Sequence, residues 1–342
     1  MSASSAILYQ TDFACFSPLM KSTPPTLPMT SPPLSPPKLL YGKDPTLLSS
    51  LLSSIKSEAI NRKLSYRALY DPFLPHRLTD LWVEGLGSFT CSPGQLTVEG
   101  GLIDCSPPIS EMSESARIAL QDLAVFKASL TQEIISVGRL LADAKLILAN
   151  QGKHLCFDSA LREKAERIAK KLSHGNGAKK TLQWAIQAYG ESGTITLLPF
   201  DKEIRLLGLP SHYSLAPLFL KELEAALIAR NCDYILLTAV FTGECVGILL
   251  PESGICYLTD APEEIREKEL TLSRFLKPFT VEERRCYRRL STSAEAIEGH
   301  LCKCLADYRA LAQKEQELYA SLQSESRLQN FRKRLLIDLF CS

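Results

Sequence analysis

The feature of this sequence that most restricts its fold is an internal repeat that divides the chain near its middle. Gly42 recurs as Gly208, Tyr66 recurs as Tyr234, and Leu-Ala-Asp at 141–143 recurs at 305–307, with nearly the same separation each time. Spacing that is kept over both strand-like and helical segments indicates a tandem duplication of one unit. The 342 residues leave room for two units, because a domain usually has about 150 residues. We therefore predict two domains, residues 1–172 and 173–342.

Each predicted unit has one order of elements: a strand, a turn, a helix, further strands and then long helices. In the first unit the principal segments are the strand 38–41, the helix 46–61, the strands 66–70, 81–89 and 96–105, and the helices 113–151 and 158–172. In the second unit they are the strand 203–207, the helix 216–230, the strands 234–241, 245–250 and 254–258, and a helical tail from 263 to 340. Strands that alternate with helices favour parallel sheets between helix layers. The predicted fold class is therefore α/β, with parallel sheets flanked by helices and long helices at the end of each unit.

Proline is concentrated at the beginning of the chain. Nine of the 20 prolines lie in the first 45 residues, chiefly in STPPTLPMTSPPLSPP at 22–37. Proline fixes φ and cannot donate to a sheet ladder, so an extended connector within the first domain is expected here. A proline-rich docking peptide is the alternative.

Charge and hydropathy exclude several classes of protein. Lysine and arginine number 39 against 38 aspartates and glutamates, which leaves a net charge of +1. A balance this even does not favour a nucleic-acid binder or a protein held at a membrane surface by basic residues. The apolar stretch 234–250 contains Glu244 and two glycines, so two buried strands explain it better than a membrane span. The N-terminal sequence lacks the pattern of a secretory signal, and we expect a cytoplasmic protein.

The 11 cysteines are expected to be reduced thiols in the cytoplasm, and none forms a C-x-x-C pair. One cluster, His300-Leu301-Cys302-Lys303-Cys304, has the residue types of a metal site. On a helix only His300 and Cys304 share a face, and two ligands do not make a site. No metal site and no catalytic residue is therefore predicted.

The turn between the first strand and the first helix is the candidate phosphate site of each unit, since backbone N–H groups and the helix N-terminus face a ligand there. A P-loop requires G-x-x-x-x-G-K-[ST], and neither turn has it. Counting from Gly42, Leu48 takes the lysine position, while Ser49 and Ser50 take the hydroxyl positions. Lys43 is basic but displaced from the required position.

The corresponding frame of the second unit is further from the P-loop pattern. Counting from Gly208, Ser214 takes the lysine position and Leu215 the hydroxyl position. Asp104 ends an apolar strand of the first unit, where a Walker-B-like carboxylate is expected. The alternative roles are a surface position on a helix for Ser49 and Ser50, and a turn or helix cap for Asp104.

These frames, with several other segments, resemble those of bacterial P-loop ATPase-like proteins that carry two P-loop domains in one chain. The segments that carry the resemblance are Asp71-Pro72, Asp104-Cys105-Ser106-Pro107-Pro108, Ile248-Leu249-Leu250-Pro251-Glu252 and Ala261-Pro262, with opening segments at 9–19 and 175–188. The resemblance covers about Tyr9 to Gln313 and implies two tandem P-loop NTPase-like domains, with ATP and Mg²⁺ as cofactors. Its nucleotide-binding positions, carried over in degenerate form, are Gly42, Lys43, Ser49, Ser50, Asp104, Gly208 and Ser214.

The chain differs from this family at the P-loop lysine and at the histidine that ends the family's Pro-His turn. Neither P-loop lysine is present, and the histidine of the family's Pro-His turn is Ile109 in one unit and Glu263 in the other. The predicted function is therefore a pseudo-ATPase that acts by binding or assembly. An active ATPase or kinase-like enzyme with an atypical phosphate loop is the alternative, and a helical scaffold unrelated to P-loops is a third.

The predicted partner is another protein. The charged helical tail from Glu282 to Arg334 alternates in sign, which is typical of a solvated helix face and also of a groove for a partner helix. No nucleic acid or membrane is expected as a partner.

Overall fold

The structure is a computed structural model of the chain. It describes residues 6–9, 38–41, 44–91, 102–105, 113–172, 181–190, 193–197, 204–210, 212–264, 266–321 and 325–340. The proline-rich segment at 22–37 and the predicted site residues Gly42 and Lys43 lie outside these ranges, as does the segment 173–180.

The described part of the first half, residues 1–172, contains six strands and three helices. In chain order they are β1 (Ala6–Tyr9), β2 (Lys38–Tyr41), α1 (Pro45–Asn61), β3 (Tyr66–Tyr70), β4 (Leu78–Val83), β5 (Gly87–Thr90), β6 (Leu102–Asp104), α2 (Glu114–His154) and α3 (Asp158–Ala169). The predicted strand 81–89 is two strands, because a turn at 84–86 with Gly85 at positive φ reverses the chain there.

The second half, residues 173–342, repeats this order and adds one strand. Its elements are β7 (Thr181–Gly190), β8 (Gly193–Thr196), β9 (Arg205–Leu209), α4 (Leu215–Ala229), β10 (Tyr234–Ala239), β11 (Cys245–Leu250), β12 (Ile255–Thr259), β13 (Lys268–Glu269), α5 (Val281–Ser321) and α6 (Glu325–Phe340). The helices α2 and α5 have 41 residues each and occupy corresponding places in the two halves. The prediction that the tail is helical from residue 263 is wrong at its beginning, because the long helix α5 starts only at Val281.

The two sheets have the same strand order. The six-stranded sheet runs β1-β3-β4-β5-β2-β6, and the seven-stranded sheet runs β8-β7-β10-β11-β12-β9-β13. When β1 is matched with β7, β3 with β10 and so on, every neighbouring pair also agrees in direction. The extra strand β8 is an antiparallel edge strand beside β7.

The prediction of two P-loop NTPase-like domains with parallel sheets is wrong. Both sheets are mixed, because β4 and β11 run antiparallel to the strands on either side of them. The physical reason is the length of the connections. A parallel pair needs a crossover of a dozen or more residues, whereas three residues join β4 to β5 and four join β11 to β12. The connections through α1 and α4, in contrast, are long enough for a crossover.

The helices at the ends of the two halves pack on the opposite halves. α3, the last helix of the first half, packs on α4 of the second half, and α6 packs on α1 of the first half. Leu335 of α6 is buried with the leucines of α1, whereas Leu161 and Ala165 of α3 are buried with those of α4. Each half therefore completes the hydrophobic core of the other.

The long helices α2 and α5 form an antiparallel pair between the two halves. Lys127 near the beginning of α2 forms an ion pair with Glu315 near the end of α5, at 2.6 Å. Close to this pair of helices, the rings of Phe73 and Phe241 meet edge to face with their centroids 5.5 Å apart. Phe73 follows β3 and Phe241 follows β10, so the two phenylalanines occupy matching places in the two halves and meet at the centre.

A cation from each long helix binds a loop of the opposite half. Arg309 of α5 donates to the carbonyl oxygen of Phe73 in the loop after β3, and also to that of Tyr189 in β7 of its own half. Lys145 of α2 donates to the carboxylate of Glu244, in the loop between β10 and β11, at 2.9 Å. Burial disfavours the charge of Lys145, but Glu244, Tyr189 and Glu298 together outweigh burial and raise the pKa of the ammonium group. These contacts join the halves at their centre.

Candidate functional site

The N-terminus of α1, the first predicted phosphate site, is capped by a side chain of the chain itself. Asp44 precedes Pro45, and its carboxylate accepts hydrogen bonds from the backbone N–H groups of Thr46 at 2.9 Å and Leu47 at 3.2 Å. Asp44 is buried. A phosphate at this helix end would need the same donors and would face a fixed negative charge.

The described site residues of the first half take part in contacts within the protein. Ser49 is buried, and its hydroxyl accepts a hydrogen bond from the backbone N–H of Leu78 at 2.9 Å. The hydroxyl of Ser50 accepts one from Arg332 of α6 at 2.6 Å. Asp104 pairs with Tyr41 in the β2–β6 ladder, which places it beside the end of β2. Ser49 and Ser50 therefore hold a strand and a helix in place.

The site residues of the second half lie at the beginning of α4. Ser214 is buried, has φ of 55°, and shares a hydrogen bond of 2.9 Å with the hydroxyl of Tyr287. Gly208 in β9 lines a cavity of about 200 Å³ with Arg266, whose side chain lies directly over the glycine. Nucleotide binding by the predicted site residues stays a prediction of the sequence, and a calorimetric titration with Mg-ATP tests it.

The cap on α1 leads to a prediction about stability. Replacing Asp44 with alanine is expected to lower the free energy of unfolding by about 1 kcal/mol, because two helix N–H groups lose their acceptor. Asp44→Asn keeps a side-chain oxygen and is expected to differ from wild type by only a few tenths of a kcal/mol. Urea unfolding of the three proteins measures this. Equal stability of the alanine and wild-type proteins would contradict the capping role.

A groove of about 760 Å³ lies beside this helix end, between α1, the loop after β3 and α5. Its lining sets Arg77 and Arg309 against Glu315 and Glu317, with His76 beside them. Such a lining gives no net attraction for a phosphate-bearing ligand.

A glycine-to-tyrosine difference distinguishes this groove from the corresponding place in the second half. Gly152 is the 39th residue of α2, and Tyr319 is the 39th residue of α5. Gly152 packs so closely on Tyr213, just before α4, that a Cβ atom would lie 2.4 Å from the Tyr213 carbonyl oxygen. Tyr319 is buried, and burial together with the nearby carboxylates of Glu315 and Asp44 raises the pKa of its hydroxyl. At the matching position, α5 thus carries a buried tyrosine where α2 has a glycine.

The outer face of α2 carries an unusual set of exposed apolar side chains. Six large ones are between 48% and 64% exposed: Ile118, Val125, Phe126, Leu140, Leu146 and Ile147. When residues are counted from the beginning of each helix, a register three residues away from the Leu-Ala-Asp match, the corresponding residues of α5 are Arg285, Thr292, Ser293, Asp307, Gln313 and Lys314. Every residue of α5 is described, and only Val281 at its beginning is a large apolar side chain with comparable exposure. The outer face of α2, defined by those six residues, therefore differs in chemistry from its counterpart.

Three acidic residues lie within the outer face of α2. At 100° per residue, Asp122, Glu133 and Asp143 fall within about 80° of the helix circumference, together with most of the apolar side chains. All three are exposed. The face thus combines apolar area with negative charge.

A cluster of potential metal ligands joins α2 to α5. Glu133, His300 and Cys304 bring one ligand atom each to within 4.8 Å of one another. His300 Nε2 lies 3.4 Å from Glu133 Oε1 and 3.9 Å from Cys304 Sγ. The sequence identified His300 and Cys304 as residues of one helix face. It could not identify Glu133, which is far away in the chain and on another helix.

No helix in the described ranges combines the length and hydropathy that a membrane span requires. Comparison with known proteins identifies no relative: no family model, no curated protein and no solved structure matches the chain.

Proposed function

We propose that this protein is a non-catalytic binding protein that holds a basic amphipathic helix of a partner protein against the outer face of α2. The observation that carries the proposal is the difference between α2 and α5. The two helices have equal length and occupy matching places, yet six large apolar side chains are exposed on α2 and only Val281 is exposed on α5. Exposed apolar patches of this kind mark interaction surfaces.

The shape of the face favours a helix as the bound element. The apolar side chains extend from Ile118 to Ile147, which is about 44 Å along the axis at about 1.5 Å per residue. An amphipathic helix packs its apolar side along such a face, with contacts every three or four residues. In this proposal the helical tail at 282–334 does not hold the partner. Its helices pack within the protein, because α5 pairs with α2 and α6 packs on α1.

The charge of the face favours a basic partner over a second copy of this chain. A two-fold antiparallel pairing that sets Ile118 against Ile147 would also set Asp122 against Asp143. Like charges placed opposite each other disfavour such a pairing. A partner helix with lysine or arginine beside its apolar side chains would instead face Asp122, Glu133 and Asp143 with opposite charge.

We also propose a cytoplasmic location. Nine cysteines of the described ranges are free thiols, and five of them are buried in the cores. Reduced thiols persist in the cytosol, where disulfides are rare.

The test uses two synthetic amphipathic helices with the same apolar side, one flanked by lysine and the other by glutamate. We expect the lysine peptide to bind at least about tenfold more tightly, a difference of about 1.4 kcal/mol, and to weaken with salt. Fluorescence anisotropy measures both affinities. The binding-deficient variant replaces four residues of α2 with the residue types found at the corresponding places of α5: Val125→Thr, Phe126→Ser, Leu140→Asp and Ile147→Lys.

The control for this variant changes exposed apolar residues elsewhere. Ile60→Thr and Ile228→Thr alter side chains that are 49% and 45% exposed on α1 and α4, and binding is expected to remain at the wild-type level. If the four-residue variant and the wild-type protein bound the lysine peptide with equal affinity, the proposal would be contradicted. Sedimentation of the protein alone tests whether a second copy of the chain occupies the outer face of α2 instead. A dimer that the same four changes abolish would identify the second copy as the occupant.

A further inference from the structure

The cluster formed by Glu133, His300 and Cys304 has the geometry of a transition-metal site, and we infer that it binds Zn²⁺ between α2 and α5. Zinc takes imidazole nitrogen and carboxylate oxygen at about 2.0–2.2 Å and thiolate sulfur at about 2.3 Å, in tetrahedral arrangement. Ligand atoms placed in this way are about 3.3–3.8 Å from one another. The 3.4 Å between His300 Nε2 and Glu133 Oε1 lies within that range, and the 3.9 Å between His300 Nε2 and Cys304 Sγ lies just above it.

The packing of the two helices holds the three side chains together. His300 and Cys304 are four residues apart on α5 and therefore lie on one face of the helix. Cys304 is buried among the side chains that join α2 to α5, which include Ile134, Leu301 and Leu305. Glu133 precedes Ile134 on the facing helix, so the same core that holds Cys304 also positions the carboxylate.

The donor set also matches the charge of the ion. One thiolate, one carboxylate and one neutral imidazole together carry two negative charges, which a divalent cation neutralises. A site with three protein ligands leaves the fourth tetrahedral position to water or to a ligand from outside. Because Glu133 and His300 are exposed, that position opens toward solvent. The bound ion would connect the first half of the chain to the second.

This inference shares Glu133 with the outer face of α2, but neither the metal site nor its test requires the proposed partner helix. Without a metal, the carboxylate of Glu133 and the imidazole of His300 would only contact each other at the surface, beside a buried thiol. The two arrangements differ in a directly measurable property, because only a metal site gives a bond between sulfur and a transition-metal ion.

The experiment is a titration of the full-length, reduced protein with Co²⁺, which reports zinc sites by its absorption spectrum. We expect one equivalent to produce a sulfur-to-cobalt charge-transfer band in the near ultraviolet and visible bands typical of tetrahedral cobalt. Zn²⁺ is expected to displace the cobalt and to raise the melting temperature, because an ion that binds only the folded state stabilises it.

The variants Cys304→Ser, His300→Gln and Glu133→Gln are each expected to weaken Co²⁺ binding by more than about 100-fold, since loss of even an outer-shell group costs about 10–100-fold. Cys302→Ser and Cys286→Ser on the same helix are the controls and should retain the spectrum. Absence of the charge-transfer band in the wild-type protein would overturn the inference, as would a band that survives in Cys304→Ser or Glu133→Gln. Because Glu133 and His300 are exposed, their variants remain informative even if Cys304→Ser does not fold.

Discussion

Replacing Phe73 with alanine is expected to lower the free energy of unfolding by about 3–5 kcal/mol, the usual cost of removing a buried aromatic side chain. Phe73 is 2% exposed. Its ring meets Phe241 at 5.5 Å and Tyr308 at 5.1 Å, both of which belong to the second half. The change therefore opens a cavity where the two halves meet, and the surrounding helices can close it only in part.

The matched control is the same substitution at an exposed site. Phe126 on α2 is 62% exposed, and Phe126→Ala is expected to change stability by no more than about 0.5 kcal/mol. Chemical denaturation of both variants measures the difference. If Phe73→Ala cost no more than Phe126→Ala, the central position of Phe73 would be disproved. A double-mutant cycle between Phe73 and Phe241 is expected to give a coupling of about 0.5–1.5 kcal/mol for the ring pair.

Replacing Gly152 with alanine is expected to destabilise the protein by about 1–3 kcal/mol, although alanine is ordinarily the better helix residue. The added methyl group would lie 2.4 Å from the carbonyl oxygen of Tyr213 and 3.1 Å from Cβ of Ser214. Backbone atoms of a residue that already has φ of 53° cannot move aside without disturbing the beginning of α4. The end of α2 would have to shift away from α4.

Gly299 on α5 provides the control, because it is also within a long helix but has nothing within 4 Å of an added Cβ atom. Gly299→Ala is expected to stabilise the protein by about 0.5–1 kcal/mol, the intrinsic preference for alanine in a helix. The same substitution should thus have opposite signs on the two helices. Thermal unfolding followed by circular dichroism measures both, and two stabilising changes would show that α2 does not pack closely on α4.

The helices with strong periodicity were predicted well from the sequence. The predicted helix 46–61 is α1 at Pro45–Asn61, and the long helix predicted at 113–151 is α2 at Glu114–His154. Both signals are local, since apolar residues recur every three or four positions and capping residues precede them. The strands β1 and β7 were not predicted, and most of β7 was interpreted through the P-loop resemblance instead.

The direction of the strands was the principal error. Alternation of strand and helix holds only around α1 and α4, and the short turns after β4 and β11 already required antiparallel pairs. The parallel direction was inferred from a P-loop resemblance that depends on isolated motifs, and these connection lengths were not considered. Of the predicted site residues, Ser49 and Ser214 are engaged in hydrogen bonds within the protein, which no sequence motif indicated.

The sequence by itself determined which segments become helices and most of the strands, and that these segments recur in one order in the two halves of the chain. These properties depend on residues close together in the chain, where spacing alone decides which side chains share a face. Only the tertiary structure decided that α3 and α6 pack on opposite halves, that α2 keeps an apolar outer face, and that Glu133 lies beside His300 and Cys304. Those contacts join residues far apart in the chain, whose proximity depends on how the two halves pack together.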